Sequence, residues 1–202
     1  MNTKIRLTKN ELQKQQLELK KFERFLPTLQ LKKQQLQVEV RNASEEVRLN
    51  QLDFVQKLNE IELWAGLFMQ YNLKFWKELV RIRRINTRLI NIAGVKIREY
   101  KSVDFRLKKY SLVSTDSWLD KGIEGLKELL QLKSRGKLLK DKLHALSLEL
   151  RKTSQRVNLF EKVMIPQTRE NIRKIKIYLG DQERNAVGRA KIAKNKLALL
   201  VA

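Results

Sequence analysis

The chain has 202 residues, with 44 Lys and Arg against 22 Asp and Glu, giving a formal net charge of +22. It contains 0 Cys, which excludes a disulfide framework, thiolate metal sites and a thiol nucleophile. Charged residues at 33% and hydrophobic residues at 42% make it too apolar for a disordered chain and too charged for a bulky globular core.

Only 7 Gly and 2 Pro interrupt the sequence, which favours long helices over a sheet with many turns. The opening residues Met1 to Arg6 are basic but lead into a polar helix, so no signal peptide is expected. No apolar run reaches the length of a membrane span. The basic field is suited to polyanions: nucleic acid, acidic membrane surfaces or acidic protein partners.

In chain order, Leu7-Thr8-Lys9-Asn10-Glu11-Leu12 reads as a helix start. Thr8 is placed to cap the Glu11 N–H while Glu11 reaches back to Thr8, with Leu7 and Leu12 as the hydrophobic staple. A seven-residue repeat follows. One position holds Leu12, Leu19, Leu26, Lys33, Val40, Val47, Phe54, Ile61, Phe68, Phe75, Ile82 and Leu89. Its companion holds Gln15, Phe22, Leu29, Leu36, Ala43, Asn50, Lys57, Trp64, Tyr71, Glu78, Ile85 and Ile92. A strict seven-residue period predicts a left-handed supercoil, about 125 Å long if unbroken from 8 to 92. Pro27 is expected to kink it, and Gly66 is a weaker second breaker.

Around Gly94 the period changes. Val95 and Ile97, then Phe105 and Leu107, alternate with polar residues around Lys101-Ser102-Val103-Asp104, which predicts a hairpin turning at 101–104. Two strands alone are marginal and should rest on helix or on a partner. Ser114, Thr115, Asp116 and Ser117 offer helix caps before Trp118. A second helical arm then runs to the C-terminus, its seam carried by Leu129, Leu132, Leu139, Leu143, Leu146, Leu150, Val157, Phe160 and Met164. At Pro166 the seam steps by one residue to Ile165, Ile172, Leu179, Ala186 and Ala193, a step expected to change the supercoil locally.

Two amphipathic arms joined by a short hairpin predict an all-α fold: a long antiparallel two-helix coiled coil, with a small β-hairpin lobe at the bend. The expected boundaries are 1–92 for the N-terminal arm, 93–116 for the hairpin and 117–202 for the C-terminal arm, as one elongated domain.

Little catalytic chemistry is visible. No Gly-rich phosphate loop is present. His144 reads as a helix-surface residue, and Glu45-Glu46 and Asp181-Glu183 read as solvated ion-pairing groups. Trp64, Trp76 and Trp118 flank the bend and read first as packing for the lobe, with a partner anchor as the alternative. The stretch 74–109 is dense in Lys and Arg, with Phe75, Trp76, Tyr100 and Phe105 interleaved. That composition keeps open a basic coiled-coil protein binding nucleic acid; a scaffold rod is the third reading.

Four stretches carry a family resemblance. Arg156-Val157-Asn158-Leu159-Phe160-Glu161 resembles an R-V-N-A-L-E run, and Ile165-Pro166 resembles the I-P that follows it. Asn91-Ile92-Ala93-Gly94-Val95 resembles N-V-A-G-V, Leu7-Thr8-Lys9 an opening P-T-K, and Leu119-Asp120 an L-D after the hairpin. Taken in order over nearly the whole chain, these resemble the D subunit of the V/A-type rotary ATPases. Leu7, Gln155, Leu159-Phe160, Pro27, Gly180 and Asn185 depart from the family pattern.

The resemblance implies a central rotor shaft with no bond chemistry and no cofactor of its own. It implies catalytic A and B subunits, the small F subunit of the rotor and a funnel subunit on the membrane ring as partners, with no nucleic acid. It also implies a place on the cytoplasmic side of the membrane without direct insertion, in a complex of bacterial or archaeal type. The family-motif positions are Thr8, Lys9, Gly94, Arg156, Asn158, Glu161 and Pro166. The expected seam includes Leu12, Leu19, Phe22, Leu29, Leu36, Leu143, Leu150, Val157, Phe160, Ile165, Ile172 and Leu179. Arg184, Arg189, Lys191 and Lys194 are the implied contacts of a tip that enters the hexamer cavity.

Overall fold

The computed structural model describes residues 5–63, 66, 73–108, 110, 116 and 118–201. Helix α1 spans Lys9–Glu62 and the short α2 spans Leu73–Leu79. Strands β1 (Val80–Ile92) and β2 (Val95–Leu107) form an antiparallel ribbon. Helix α3 (Leu119–Leu159) passes through one π-helical turn, Phe160–Met164, into α4 (Ile165–Val201). The fold is the expected pair of long helical arms with an antiparallel hairpin between them. It divides into two compact units, residues 1–32 with 152–202, and residues 33–151.

Helix α1 carries the seven-residue repeat to Glu62, and the repeat positions Phe75 and Glu78 lie in the separate helix α2. Beyond it, Ile82 and Leu89, expected on a helix seam, lie in β1, 40% and 72% exposed. Phe68, Tyr71 and Trp64 fall outside the described residues. The spacing of Ile82 and Leu89 is accidental, because the stretch 80–92 is rich in β-branched residues, which favour strand. The hairpin turn also differs from the expected site at 101–104. It is the two-residue connection Ala93-Gly94, with φ of 50° and 85°, the type I′ geometry whose twist matches that of the flanking strands. Lys101 to Asp104 instead lie within β2.

Each ribbon strand carries one extra residue. Pairing runs from Ile92↔Val95 to Thr87↔Tyr100, skips Lys101, resumes at Asn86↔Ser102, skips Arg83 and ends at Val80↔Leu107. Asn86 Nδ2 donates to Ser102 Oγ and to Asp104 Oδ2, both at 3.0 Å, and so ties the strands between the two bulges.

Thr8 Oγ1 accepts the Glu11 N–H at 3.3 Å, which caps α1 as expected. The Glu11 carboxylate does not close the expected capping box; it accepts from Gln15 Nε2 at 2.9 Å. Pro27 lies inside α1, and the neighbouring Thr28 hydroxyl donates to the Phe25 carbonyl at 2.8 Å. The step expected near Pro166 takes physical form as the π turn. The Ile165 N–H reaches back five residues to the Phe160 carbonyl. Proline offers no N–H and would crowd the carbonyl four residues back, and a widened turn accommodates both effects.

In the unit of residues 33–151, α1 and α3 are antiparallel, because Lys57–Glu128 (2.6 Å) and Glu46–Lys142 (2.8 Å) run in opposite order along the two helices. Leu36, Ala43 and Leu146 are fully buried, in one cluster with Ile97 of the hairpin, so the ribbon rests on helix as a lone two-stranded sheet must. A second cluster joins Trp76, Leu79 and Val80 to Leu119 and Ile123. The Trp76 and Trp118 rings lie 6.1 Å apart. This is the packing role read for these two tryptophans.

In the unit of residues 1–32 and 152–202, Glu23–Arg169 (2.8 Å) and Lys9–Glu183 (3.8 Å) again run antiparallel. Phe22 meets Phe160 edge to face at 5.3 Å. Val157, Ile165 and Ile175 are buried. The π turn makes the seam step eight residues from Val157 to Ile165 (165−157) and from Phe160 to Thr168 (168−160), so the face toward α1 is kept across it.

Candidate functional site

The surfaces available for work are the seam, the basic hairpin and the last part of α4. Along the first arm, Leu36, Ala43 and Asn50 are buried, and Leu12, Leu19, Phe22 and Leu29 are half-buried. Along the second, Val157 and Ile165 are buried, while Leu143, Leu150, Phe160, Ile172 and Leu179 are half-buried. Three buried polar residues of this seam were not singled out in the sequence: Ser134, Thr153 and Thr168. Ser134 and Thr168 each donate a hydroxyl bond at 2.7 Å to the carbonyl four residues earlier, Leu130 and Met164. A helix residue that can satisfy its own oxygen this way can occupy a seam position at little cost.

Asn50 is the exception. It is 5% exposed, its Nδ2 has no hydrogen-bond partner, and its Oδ1 stands 2.6 Å from where a Cβ on Gly136 would lie. Gly136 therefore admits Asn50 into the contact between α1 and α3, where an ordinary side chain would collide with it.

The family-motif residues take distinct places. Thr8 caps α1, Lys9 pairs with Glu183, and Gly94 takes the second left-handed position of the turn. Arg156, Asn158 and Glu161 are exposed on either side of buried Val157, and Pro166 lies in the first turn of α4. These residues are not gathered into one site.

Beyond Glu183, α4 continues for 18 further residues (201−183), about 27 Å of helix. From Arg184 to Lys196 its side chains are exposed, Gly188 apart. Ala186 and Ala193, read as a continuing seam, are among the exposed residues, together with Val187 (57%) and Ile192 (59%). Arg189, Lys191 and Lys194 project from this stretch, whereas Arg184 pairs with Asp181 at 2.9 Å on its own helix.

The hairpin exposes Arg83, Arg84, Arg88, Lys96, Arg98 and Lys101. At its base Lys108 pairs with Glu78 at 3.1 Å, and the Tyr110 hydroxyl donates to Asp120. That bond holds the phenol above its usual pKa. Lys109 falls outside the described residues, as do Ser114, Thr115 and Ser117. The acidic pairs are ion-pairing groups: Glu45 engages Arg48 through both oxygens, at 2.6 and 2.9 Å, and Glu46 engages Lys142. Among the described residues, no three His, Asp or Glu side chains are grouped to hold a metal, and no helix is long and apolar enough to cross a membrane.

Comparison with known proteins is consistent along the whole length. Residues 11–195 match the family model described as the ATP synthase D subunit. The chain is 47% identical over 197 residues to the V-type ATP synthase D subunit of Borreliella burgdorferi, covering 96% of each chain. It is 36% identical over 200 residues to the protein of that name in Chlamydia pneumoniae, with 98% and 96% covered, and 34% identical over 201 residues to that of Chlamydia abortus, with 98% and 95% covered. With two paired helical arms, a hairpin turning at Ala93-Gly94 and a full-length match of this kind, the chain belongs to the ATP synthase D-subunit family.

Proposed function

We propose that this chain is the central rotor shaft of a V/A-type rotary ATPase or ATP synthase, transmitting torque between the catalytic A/B hexamer and the membrane ring. The observation that carries the reading is the 47% identity to a V-type ATP synthase D subunit across 96% of both chains. The chain contributes no bond chemistry; ATP is turned over on the A and B subunits. The F subunit and the funnel subunit of the ring are the further partners, and the complex works on the cytoplasmic side of the membrane.

The physical features suit this role. Two interlocked antiparallel helices resist twisting better than one helix can, because twisting the pair requires the helices to shear past each other. The bare stretch of α4 beyond Glu183 offers Arg189, Lys191 and Lys194 to the hexamer cavity, with a helical surface already formed. Its asymmetric contacts would bias the conformational equilibrium of each catalytic site in turn.

The test is co-expression with the A, B and F subunits of the same organism, followed by native mass spectrometry and ATPase assay. One copy of this chain per A/B hexamer is expected. Removal of residues 190–202 should leave the arms folded but weaken coupling between ATP turnover and rotation. Unchanged coupling, or recovery with nucleic acid in place of those subunits, would refute the shaft reading.

A further inference from the structure

Within residues 33–151 the two arms meet along columns that repeat every seven residues. On α1 one column holds Leu36, Ala43 and Asn50; the facing column on α3 holds Leu129, Gly136, Leu143 and Leu150. Asn50 is set against Gly136, and counting in sevens from that contact puts Ala43 against Leu143 and Leu36 against Leu150. Those last four residues belong to one packed cluster. The neighbouring columns, Val40, Val47 and Phe54 on α1 and Leu132, Leu139 and Leu146 on α3, are apolar throughout. Columns of this kind pack nearly as well after one helix slides along the other by seven residues, about 10 Å. The ion pairs across the contact discriminate weakly, since Glu46 and Glu128 are 43% and 52% exposed.

Asn50 and Gly136 break that equivalence. A slide of seven residues one way sets Asn50 against Leu143 and Gly136 against Lys57. The opposite slide sets Asn50 against Leu129 and leaves a gap between Gly136 and Ala43. In both, a leucine stands where the Asn50 amide needs bare backbone. The residue is not there for stability, because its Nδ2 is buried without a partner. We propose that the Asn50–Gly136 pair is a register lock: it sacrifices stability to select one axial alignment of α1 and α3 among alignments that the leucine columns would accept. A buried asparagine in a helical seam fixes register in this way, at a cost in stability. The inference concerns the chain alone and does not depend on the shaft reading.

The test uses the full chain, whose 0 Cys leave any introduced pair unambiguous. Glu46→Cys with Lys142→Cys reports the observed register, since these side chains meet at 2.8 Å. Glu46→Cys with Glu149→Cys, or with Arg135→Cys, reports a slide of seven residues either way. Each pair is reacted with dibromobimane, which fluoresces on bridging two thiols, in dilute solution so that the bridge forms within one chain. The native sequence should bridge 46 to 142 alone. Asn50→Ala with Gly136→Leu copies the adjacent Ala43–Leu143 layer and removes the lock. It should raise bridging from 46 to 149 or 135 at least tenfold, with an unchanged or higher melting temperature. Bridging confined to 46 and 142 in this variant would overturn the proposal and place register with the hairpin and the Trp76 cluster. A lower melting temperature without slipped bridging would also overturn it, because the pair would then serve stability.

Discussion

Replacing Gly136 with alanine should destabilise the protein, and the same replacement in an Asn50→Ala background should stabilise it. The sign rests on two opposed effects. In a helix interior alanine is favoured over glycine by about 0.8–1 kcal/mol. Against this, the new Cβ would stand 2.6 Å from Asn50 Oδ1, a separation that forces movement. Asn50 is 5% exposed, so its amide has little room to retreat, and overpacking of this kind costs about 1–3 kcal/mol. Taking about 2 kcal/mol for the overlap, Gly136→Ala alone should lose about 1 kcal/mol. With Asn50 shortened the overlap disappears and the propensity gain of about 1 kcal/mol remains. The coupling energy between the two sites is then about 2 kcal/mol, within the range measured for residues in contact. Urea unfolding followed by far-ultraviolet circular dichroism, on the wild type, both single variants and the double variant, measures it directly. A coupling below about 0.5 kcal/mol would mean that the two sites behave independently and that the close approach does not constrain the helices.

Ala93 takes φ of 50° in the hairpin turn, a region that costs an ordinary residue about 1–2 kcal/mol and suits asparagine better. Ala93→Asn should raise the melting temperature by an amount equivalent to about 1 kcal/mol, and an unchanged or lower melting point would count against the turn assignment. The Tyr110 phenol has its pKa raised by its bond to Asp120. A raised folded pKa contributes stability that is fully present below the unfolded tyrosine value, near about 10, and lost as pH rises through the folded one. Tyr110→Phe should therefore be less stable than wild type at neutral pH, with the gap closing in the alkaline range; a gap independent of pH would refute the bond's role. Deleting exposed Lys162 together with Pro166→Ala should turn the eight-residue step into a seven-residue one and leave a cooperative unfolding transition. Deleting Leu148, in the regular part of α3, should put the seam out of phase and broaden the transition. Similar behaviour of the two deletions would show that the π turn does not set the register.

Much of the architecture was legible in the residues, and the failures have physical causes. The repeat from Leu12 to Ile61 is half-buried or buried at every position of its leading set, because helix period and side-chain burial are the same signal. The seam step beside Pro166 was visible as a broken count before the π turn gave it a form. Ile82 and Leu89 kept the count by coincidence while their neighbours favoured strand. The change of period at Gly94 is the turn itself, whereas the expected turn lay at 101–104, since alanine rather than asparagine precedes Gly94 and the strongest hairpin signal is missing. Asn50 stood out as a polar seam residue, but its partner Gly136 did not. Matching them requires the register between two arms far apart in sequence, which neither arm carries alone. The Trp76–Leu119–Ile123 cluster was hidden for the same reason.

The two bulges of the hairpin lie on opposite strands, and each adds one residue, so their effects on pairing cancel. The tip from Thr87 to Tyr100 and the base from Val80 to Leu107 are therefore aligned as though neither insertion existed. Only the tract between them, Arg84 to Asn86 against Ser102 to Asp104, is displaced. Bulges deepen the twist of a ribbon locally. The middle of this one can coil to follow the helices beneath it while both ends remain in the frame of a regular hairpin. Geometrically the pair works as an expansion joint: curvature is taken up in three residue pairs, and none of it is passed on to the turn.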